Sequence, residues 1–259
     1  MKSSIPYKSI LDLQNLFFRK MSLGVLEREN ILASSMGIDN PFFNLVLQTD
    51  IDAISKIDSS ISEIKEFFAK YNVPWTWLVF PFSEPANLSE ILVSKGMVEI
   101  ETFAVMGLDM RHLLPDMSLL KHELREVQNS KDFDDWSIPV QEGFESSALE
   151  IKQFRALTEN IPYGENNDFH HYVMYVDGIP LASGTMSLHN NNARLDNISV
   201  RPSYQRRGFG EMIINHMLRE AKLLGVKYCF LDASYQGVGL YKKIGFEKYY
   251  TGRIFERKR

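Results

Sequence analysis

The sequence predicts a mixed α/β fold in which an antiparallel run of strands leads into a parallel strand–helix–strand crossover. Three stretches of alternating apolar residues follow one another, with turn-forming residues between them: 171–176, 181–188 and 194–200. Directly afterwards the apolar spacing changes from two to about 3.6 residues, which predicts a helix that begins beyond the Gly208-Phe209-Gly210 turn. A strand, a short helix and a last strand complete the order, at residues 227–232, 238–244 and 247–255.

The segments before this meander also alternate between helical and extended patterns. Apolar residues at helical spacing run from Ile10 to Phe17 and continue through Leu23 to Leu32, so residues 1–36 are expected to be helical. The remaining predicted strands are residues 42–47, 75–80, 98–108 and 123–127. The remaining predicted helices are residues 54–71, 88–95, 132–144 and 147–158.

The length of the chain predicts two domains. Its 259 residues are long for one domain, and the 44% of hydrophobic residues supply material for one or two cores. The best candidate for a linker is the segment 112–118, which contains Pro115. We therefore expect a first domain at residues 1–115 and a second at residues 119–259.

Charge and cysteine content exclude several classes of protein. A net charge of −4 and a pI near 5.9 argue against a protein that coats nucleic acid. The sequence contains no apolar segment long enough for a membrane span and no signal-peptide core, so we expect a cytoplasmic protein without a membrane partner. One cysteine, Cys229, excludes an intrachain disulfide and is expected to be a buried core thiol.

The loop between the strand 194–200 and the following helix has the composition of a phosphate site. A helix N-terminus presents unpaired N–H groups, and Gly208 and Gly210 would let a phosphate approach the backbone. Arg206 and Arg207 add positive charge beside it. On the glycine pair alone, an ordinary strand-to-helix turn with exposed arginines remains the alternative.

A longer pattern narrows this choice. Its members are Val200, Pro202, Gln205, Gly208 and Gly210, and it resembles the cofactor motif of the GNAT superfamily of N-acyltransferases. The segment Leu240-Tyr241-Lys242-Lys243-Ile244-Gly245-Phe246 is similar to the closing signature of that family. The resemblance covers residues 119–259. It implies the GNAT acyl-CoA N-acyltransferase fold, acetyl-CoA as donor substrate, an amine acceptor and no metal.

The resemblance also implies roles for individual residues. The backbone of Ile198, Ser199 and Val200 would bind the pantetheine arm, and the loop would hold the pyrophosphate through Gln205, Arg206, Arg207, Gly208, Phe209 and Gly210. Ser234, which stands where many relatives have asparagine, would contact the cofactor. Tyr241 would contact the cofactor and protonate the departing CoA thiolate. The alternative for Tyr241 is an aromatic core residue of a short helix.

Acyl transfer also needs a group that takes a proton from the acceptor ammonium. A period of two places Arg194, Asp196, Ile198 and Val200 on one face of their strand, so Asp196 is the candidate base. A hydrogen-bonded or solvated aspartate is the alternative. His170, His171 and His189 could assist the amine, although surface or turn histidines are favoured. Glu142, Glu145 and Tyr163 fall where the family builds its acceptor pocket, with no individual role assigned.

The N-terminal half resembles a degenerate copy of the same fold. The segment Leu92-Val93-Ser94-Lys95-Gly96-Met97 is similar to the segment from Tyr241 to Phe246, and an extended stretch follows both. With Trp75 and Trp77 ahead of it, this half resembles the first domain of tandem GNAT proteins that have lost the cofactor loop. An unrelated α/β domain with two core tryptophans is the alternative.

The leading hypothesis for function is an N-acetyltransferase for a primary amine of a small molecule, peptide or protein. The alternative is a non-catalytic acyl-CoA-binding or regulatory module.

Overall fold

The structure is a computed structural model that describes residues 7–51, 57–113, 122–158 and 167–257. One sheet of eleven strands forms its centre. The strands are β1 Gly24–Arg28, β2 Ile31–Ser35, β3 Asn44–Thr49, β4 Thr76–Val79, β5 Met97–Asp109, β6 Glu123–Glu126, β7 Phe169–Val176, β8 Ile179–His189, β9 Asn192–Val200, β10 Tyr228–Ala233 and β11 Glu247–Arg257. The helices are α1 Tyr7–Lys20, α2 Ile57–Ala69, α3 Leu88–Ser94, α4 Ser130–Gly143, α5 Ala148–Thr158, α6 Phe209–Leu223 and α7 Val238–Ile244.

The strand order interleaves the two halves of the chain. It runs β1-β2-β3-β4-β11-β5-β10-β9-β8-β7-β6, so β5 lies between β11 and β10, while β11 lies between β4 and β5. All of these exchanged contacts are antiparallel ladders. Each half therefore places its last strand between two strands of the other half, and both halves share one sheet.

The two halves repeat one pattern of elements. In the first, β1, β2 and β3 form a meander, β3 is parallel to β4 across α2, and β5 follows α3. In the second, β7 to β11 repeat this order with α6 and α7. The ladder between β5 and β11 bulges on both strands, at Ile100 and Tyr249, which stand equally far beyond Gly96 and Gly245. The two halves are thus related by an approximate two-fold axis between β5 and β11.

Helices cover both faces of the sheet. The α6 face is covered by α2, α3, α6 and α7, whose apolar residues pack mainly on strands of their own half and also on the last strand of the other half. The α1 face is covered by α1, α4 and α5. Helix α1 joins the halves there, because Ile10 and Leu13 belong to the same buried cluster as Leu45 of β3 and Phe230 of β10.

Most predicted elements are confirmed to within about three residues, the usual uncertainty of an element boundary. The helical prediction for residues 23–32 is wrong, because this stretch forms the hairpin of β1 and β2. All five residues of β2 are buried, so the strand lacks the polar–apolar alternation that identifies a half-exposed strand. Residues 114–118 of the predicted linker lie outside the described residues. No helix in the described ranges has both the length and the apolar character that a membrane span requires.

Candidate active site

The two parallel strands at the centre of the second half separate along their length. The ladder between β9 and β10 runs from Asn192–Tyr228 to Arg194–Phe230 and ends there. Beyond it, β9 stays paired with β8 as far as Val200, and β10 stays paired with β5 as far as Ala233. The backbone of residues 195–200 therefore has no ladder partner on its β10 side among the described strands. An extended ligand with amide groups can pair with such an edge.

The predicted cofactor loop lies at the open end of this gap. The Gln205 side-chain amide donates to the Val200 carbonyl over 3.1 Å, which ties the loop to the end of β9. Gly208 precedes α6 with φ of 89°, a left-handed conformation that favours glycine. No side chain caps the N-terminus of α6. The first-turn N–H groups, which include that of Phe209, remain available to an anion.

The residues around the loop leave room for a phosphate group. Among the ion pairs of the described residues none involves Arg206 or Arg207, and the Arg207 guanidinium lies 5.4 Å from the centre of the Tyr204 ring. A Cβ added at Gly210 would lie 3.5 Å from Leu240 Cδ2 and 3.7 Å from Val200 Cγ2, which is ordinary contact. The protein's own packing thus does not require glycine at position 210. A ligand that approaches the backbone would require it.

Tyr241 stands on α7 beside the same gap. Its ring is held edge-on by Phe246, with 5.9 Å between centroids, and is crowded by Gly237, where an added Cβ would come within 2.9 Å of Tyr241 Cε2. Burial, with the nearby Asp196 carboxylate, raises the pKa of Tyr241 to about 12. The hydroxyl therefore carries a proton at neutral pH and can donate it. Ser234 is exposed before α7, and its carbonyl accepts from the Gly237 N–H over 3.0 Å.

A buried ionic cluster lies on the α1 face where β9 and β10 begin to separate. Arg194, which is 4% exposed, donates through Nε to both oxygens of Asp196 at 3.0 Å. Its Nη2 donates to Asp232 Oδ2 over 2.8 Å. Asp232 was not predicted as a site residue, although it is the one charged residue of the apolar strand β10. We name Arg194, Asp196 and Asp232 the ionic triad.

The prediction that Arg194, Asp196, Ile198 and Val200 share one face of β9 is wrong. Asn197 has a left-handed φ of 52°. Between Asp196 and Ser199, the two residues Asn197 and Ile198 lie opposite a single residue of β8, so β9 carries one extra residue there. This bulge turns Ile198 and Val200 to the α6 face, where they pack with the buried cluster around α6. Asp196 stays on the α1 face. The catalytic and cofactor-binding roles of these residues stay predictions.

Comparison with known proteins bears on this arrangement of gap, loop and tyrosine. Residues 167–248 match the family model for the acetyltransferase (GNAT) domain. Residues 167–248 are a GNAT domain. A segment is 34% identical to the [ribosomal protein bS18]-alanine N-acetyltransferase of Salmonella typhimurium, over 22% of this chain and 41% of that protein. The first two curated relatives are matched over 55% and 41% of their own lengths, about half.

Solved structures show that the GNAT fold extends over the whole chain. A GCN5-related N-acetyltransferase from Kribbella flavida superposes with a TM-score of 0.77 and 14% identity, over 99% of this chain and 97% of that one. The tandem GNAT protein from the clavulanic acid biosynthesis pathway superposes with a TM-score of 0.57 and 14% identity, over 82% and 74% of the two chains. At these identities the likeness concerns the fold.

The first half of the chain has leucines where the GNAT domain has the ionic triad. Leu78 of β4 pairs with Ile254 of β11, just as Asp232 of β10 pairs with Val105 of β5, so Leu78 is equivalent to Asp232. The parallel ladders then make Leu45 equivalent to Arg194 and Leu47 equivalent to Asp196. The three leucines are at most 5% exposed and face α1. The corresponding positions thus pack well with apolar side chains, and the fold does not itself require charges there.

The histidines of the GNAT domain have structural surroundings. His170 and His171 are buried in β7, so the expectation of surface or turn histidines is wrong for these two. His170 Nδ1 lies 2.7 Å from Glu126 Oε1, and His171 Nδ1 lies 2.8 Å from Thr185 Oγ1. His189 lies beside the turn between β8 and β9. In the described ranges, no group of three or more His, Cys, Asp or Glu residues could hold a metal ion.

The remaining predicted residues lie at the end of α4, in the turn after it and in β10, with one outside the described residues. Glu142, at the end of α4, makes two contacts with the Arg201 guanidinium at 2.8 and 2.9 Å, and so ties α4 to the end of β9. Glu145 stands in the turn after α4 with φ of 55°. Tyr163 lies outside the described residues. Cys229 is fully buried on the α6 face, where burial raises the pKa of its thiol.

Replacing Gly210 with alanine is expected to weaken CoA binding about tenfold while leaving the fold intact. The added methyl group meets only ordinary contacts within the protein but occupies the approach to the first turn of α6. Calorimetric titration with CoA measures the effect. Gly239→Ala is the matched control, because that helical glycine has nothing within 4 Å of an added Cβ. Equal affinity in the two variants would contradict this use of Gly210.

The protein is expected to lose stability in acid through His171. Burial, with the neighbouring charge of His170, lowers the pKa of His171 from 6.5 to about 3. Below pH 6.5 His171 binds a proton in the unfolded chain but stays neutral in the folded chain. The free energy of unfolding therefore falls by up to about 1.4 kcal/mol per pH unit until the pH nears 3. Urea denaturation between pH 7 and 4 should show a weaker pH dependence for His171→Gln than for the wild type. His189→Gln should keep the wild-type dependence.

Proposed function

We propose that the protein is an N-acyltransferase that transfers the acetyl group of acetyl-CoA to a primary amine of a small molecule, peptide or protein. The observation that carries this proposal is the gap between β9 and β10, which opens beside the uncapped N-terminus of α6 and the protonated hydroxyl of Tyr241. This region combines an unpaired strand edge, an open helix N-terminus and a partly buried proton donor.

The donor would occupy the gap as an additional strand. Amide groups of the pantetheine arm would pair with the free edge formed by Ile198, Ser199 and Val200. The pyrophosphate would then meet the N–H groups at Gly208, Phe209 and Gly210, beside Arg206 and Arg207. The left-handed Gly208 and the space beside Gly210 support this placement. Ser234 would flank the cofactor near the thiol end, before α7.

The chemistry requires a proton acceptor for the amine and a proton donor for the thiolate. Tyr241 would give its proton to the sulfur, since its raised pKa keeps the hydroxyl protonated. Asp196 stands close enough to Tyr241 to influence that pKa. Burial also raises the pKa of Asp196 itself, which favours proton uptake. The residues of one ionic cluster and one tyrosine would thus serve both transfers.

The test is the release of free thiol from acetyl-CoA in the presence of a panel of primary amines. Turnover with at least one amine, above the rate without amine, is the expected result. CoA binding without turnover on any amine would instead favour the non-catalytic acyl-CoA-binding or regulatory module. Propionyl-CoA and succinyl-CoA in the same assay would show whether acetyl is the preferred acyl group.

We further propose that residues 1–115 are a GNAT-like unit that has lost its cofactor site. The repeated strand order and the leucines at the triad positions support this interpretation. The segment between β3 and α2 contains no glycine, unlike the loop before α6. The role of this unit would be structural, since its strand β5 forms one wall beside β10.

A further inference from the structure

Three buried polar atoms without a hydrogen-bond partner lie in or beside the ionic triad. They are Arg194 Nη1, Asp232 Oδ1 and Tyr250 Oη. Buried polar atoms in proteins are nearly always paired, either within the protein or with ordered water, which a bound polar ligand can replace. A guanidinium nitrogen, a carboxylate oxygen and a phenol that all lack partners therefore mark a place where a polar ligand binds.

These atoms belong to one region of the α1 face. Asp232 of β10, Val105 of β5 and Tyr250 of β11 are cross-strand neighbours in one row. The charges of Asp232 and Arg194 both act on Tyr250, and burial with the Asp232 charge raises the pKa of its hydroxyl. Arg194 stands next to Asp232 through their ion pair. The free atoms thus belong to one buried polar cluster beside Val105.

The cluster is less buried at its carboxylates than at its guanidinium. The side chains of Asp196 and Asp232 are 18% and 22% exposed, whereas that of Arg194 is 5% exposed. The free oxygen Asp232 Oδ1 is itself buried. The cluster adjoins the gap, because Asp196 lies two residues beyond Arg194, the last residue of β9 that pairs with β10. A ligand of this cluster would therefore lie beside the gap between β9 and β10 on the side opposite α6.

We infer that the ionic triad and Tyr250 bind the acceptor amine, and that Asp232 is the residue that takes its proton. This inference rests on the proposed function. One positive and two negative charges leave the triad with a net charge of about −1, which favours a cationic ligand. Both oxygens of Asp196 accept from Arg194, whereas Asp232 keeps Oδ1 free. Asp232 thus presents the free lone pair and replaces Asp196 as the candidate base, because both oxygens of Asp196 are engaged in holding the guanidinium in place.

The proton balance of the transfer follows from these positions. One N–H bond of the acceptor ammonium breaks, and its proton passes to Asp232 Oδ1 and then to solvent. The nitrogen lone pair forms the N–C bond, and the C–S pair leaves with the sulfur, which takes the Tyr241 proton. The second proton lost by nitrogen restores the Tyr241 hydroxyl. The products are an amide, a free thiol and one released proton.

The free guanidinium nitrogen indicates what else the acceptor carries. Arg194 Nη1 requires a hydrogen-bond acceptor, while the net negative charge of the triad disfavours a carboxylate in that place. Nη1 and Asp232 Oδ1 belong to two side chains that are joined by an ion pair, so a ligand that meets both would carry its amine and its oxygen close together. The acceptor class is therefore a primary amine with an uncharged oxygen acceptor on the adjacent carbon.

The experiment compares three amines that share one skeleton: alaninamide, alanine and isopropylamine. With the full-length protein and acetyl-CoA, alaninamide should give the highest kcat/KM, at least about tenfold above that of alanine. Asp232→Asn should lower kcat about a hundredfold for alaninamide and leave the dissociation constant of acetyl-CoA unchanged. Tyr250→Phe should raise KM with little change in kcat. Asp177→Asn, in the exposed turn after β7, is the matched control and should behave as wild type.

Failure of this inference is distinguishable from failure of the proposed function. Wild-type kcat in Asp232→Asn, or a preference for alanine over alaninamide, would overturn the inference while the transferase activity stood. Thermal denaturation provides a readout that needs no turnover. Alaninamide should raise the Tm of the CoA-loaded wild type and of Asp177→Asn, but not that of Asp232→Asn. Absence of that rise in the wild type would also overturn the inference.

Discussion

Replacing Arg194 with leucine is expected to lower the free energy of unfolding by about 3 kcal/mol, and adding leucine at positions 196 and 232 is expected to restore most of it. The single change leaves two partly buried carboxylates side by side without their shared cation. The triple change reproduces the side chains at the equivalent positions of the first half, where Leu45, Leu47 and Leu78 are buried beneath α1. Partial exposure of the carboxylates places the loss at the lower end of the range for a broken buried ion pair.

Urea denaturation of the wild type, the single variant and the triple variant measures this effect. Arg207→Leu, on the exposed loop, is the control for removal of an arginine and should change stability by less than about 0.5 kcal/mol. A triple variant less stable than Arg194→Leu would mean that the triad positions of the two halves are not interchangeable. A restored fold that has lost transferase activity would assign the charges to function.

Tyr241→Phe is expected to lower turnover about tenfold to a thousandfold while leaving acetyl-CoA binding largely unchanged. The contacts of the ring with Phe246 and Gly237 remain, so only the proton donor to the thiolate is lost. A thiol has a pKa near 8.5, so its anion is a tolerable leaving group, which limits the size of the effect. Steady-state thiol release with a titration of acetyl-CoA measures both quantities.

Tyr235→Phe is the matched control, since Tyr235 is 92% exposed. The pKa of about 12 also predicts that ionisation of Tyr241 causes no loss of wild-type rate between pH 6 and about 10. An unchanged turnover number in Tyr241→Phe would remove this hydroxyl from the mechanism. A large loss of acetyl-CoA affinity would assign it to binding.

Local sequence patterns predicted the elements that carry the candidate site. The change of period after Val200 and the glycines around Phe209 located the β9–α6 junction, and the segment around Tyr241 located α7. These features depend on residues that are near each other in the sequence. Periodicity could therefore find them.

Features that depend on distant parts of the chain could not be predicted in this way. The bulge at Asn197 reverses the faces of β9 beyond it, and a single asparagine in a strand pattern does not announce it. Asp232 of β10 and Tyr250 of β11 lie in one cross-strand row only because β5, from the other half, pairs with both of their strands. Their pairing depends on strand order, which local periodicity does not record.

The exchange of β5 and β11 also affects how this protein can fold on the ribosome. Strand β4 can pair with its neighbour β11 only after Glu247–Arg257 has been synthesised, and β10 pairs with β5, which is synthesised much earlier. The long-range ladders make the contact order high, and one edge of β4 stays unpaired until β11 is available. Completion of the sheet is therefore a late and cooperative event that involves both halves at once.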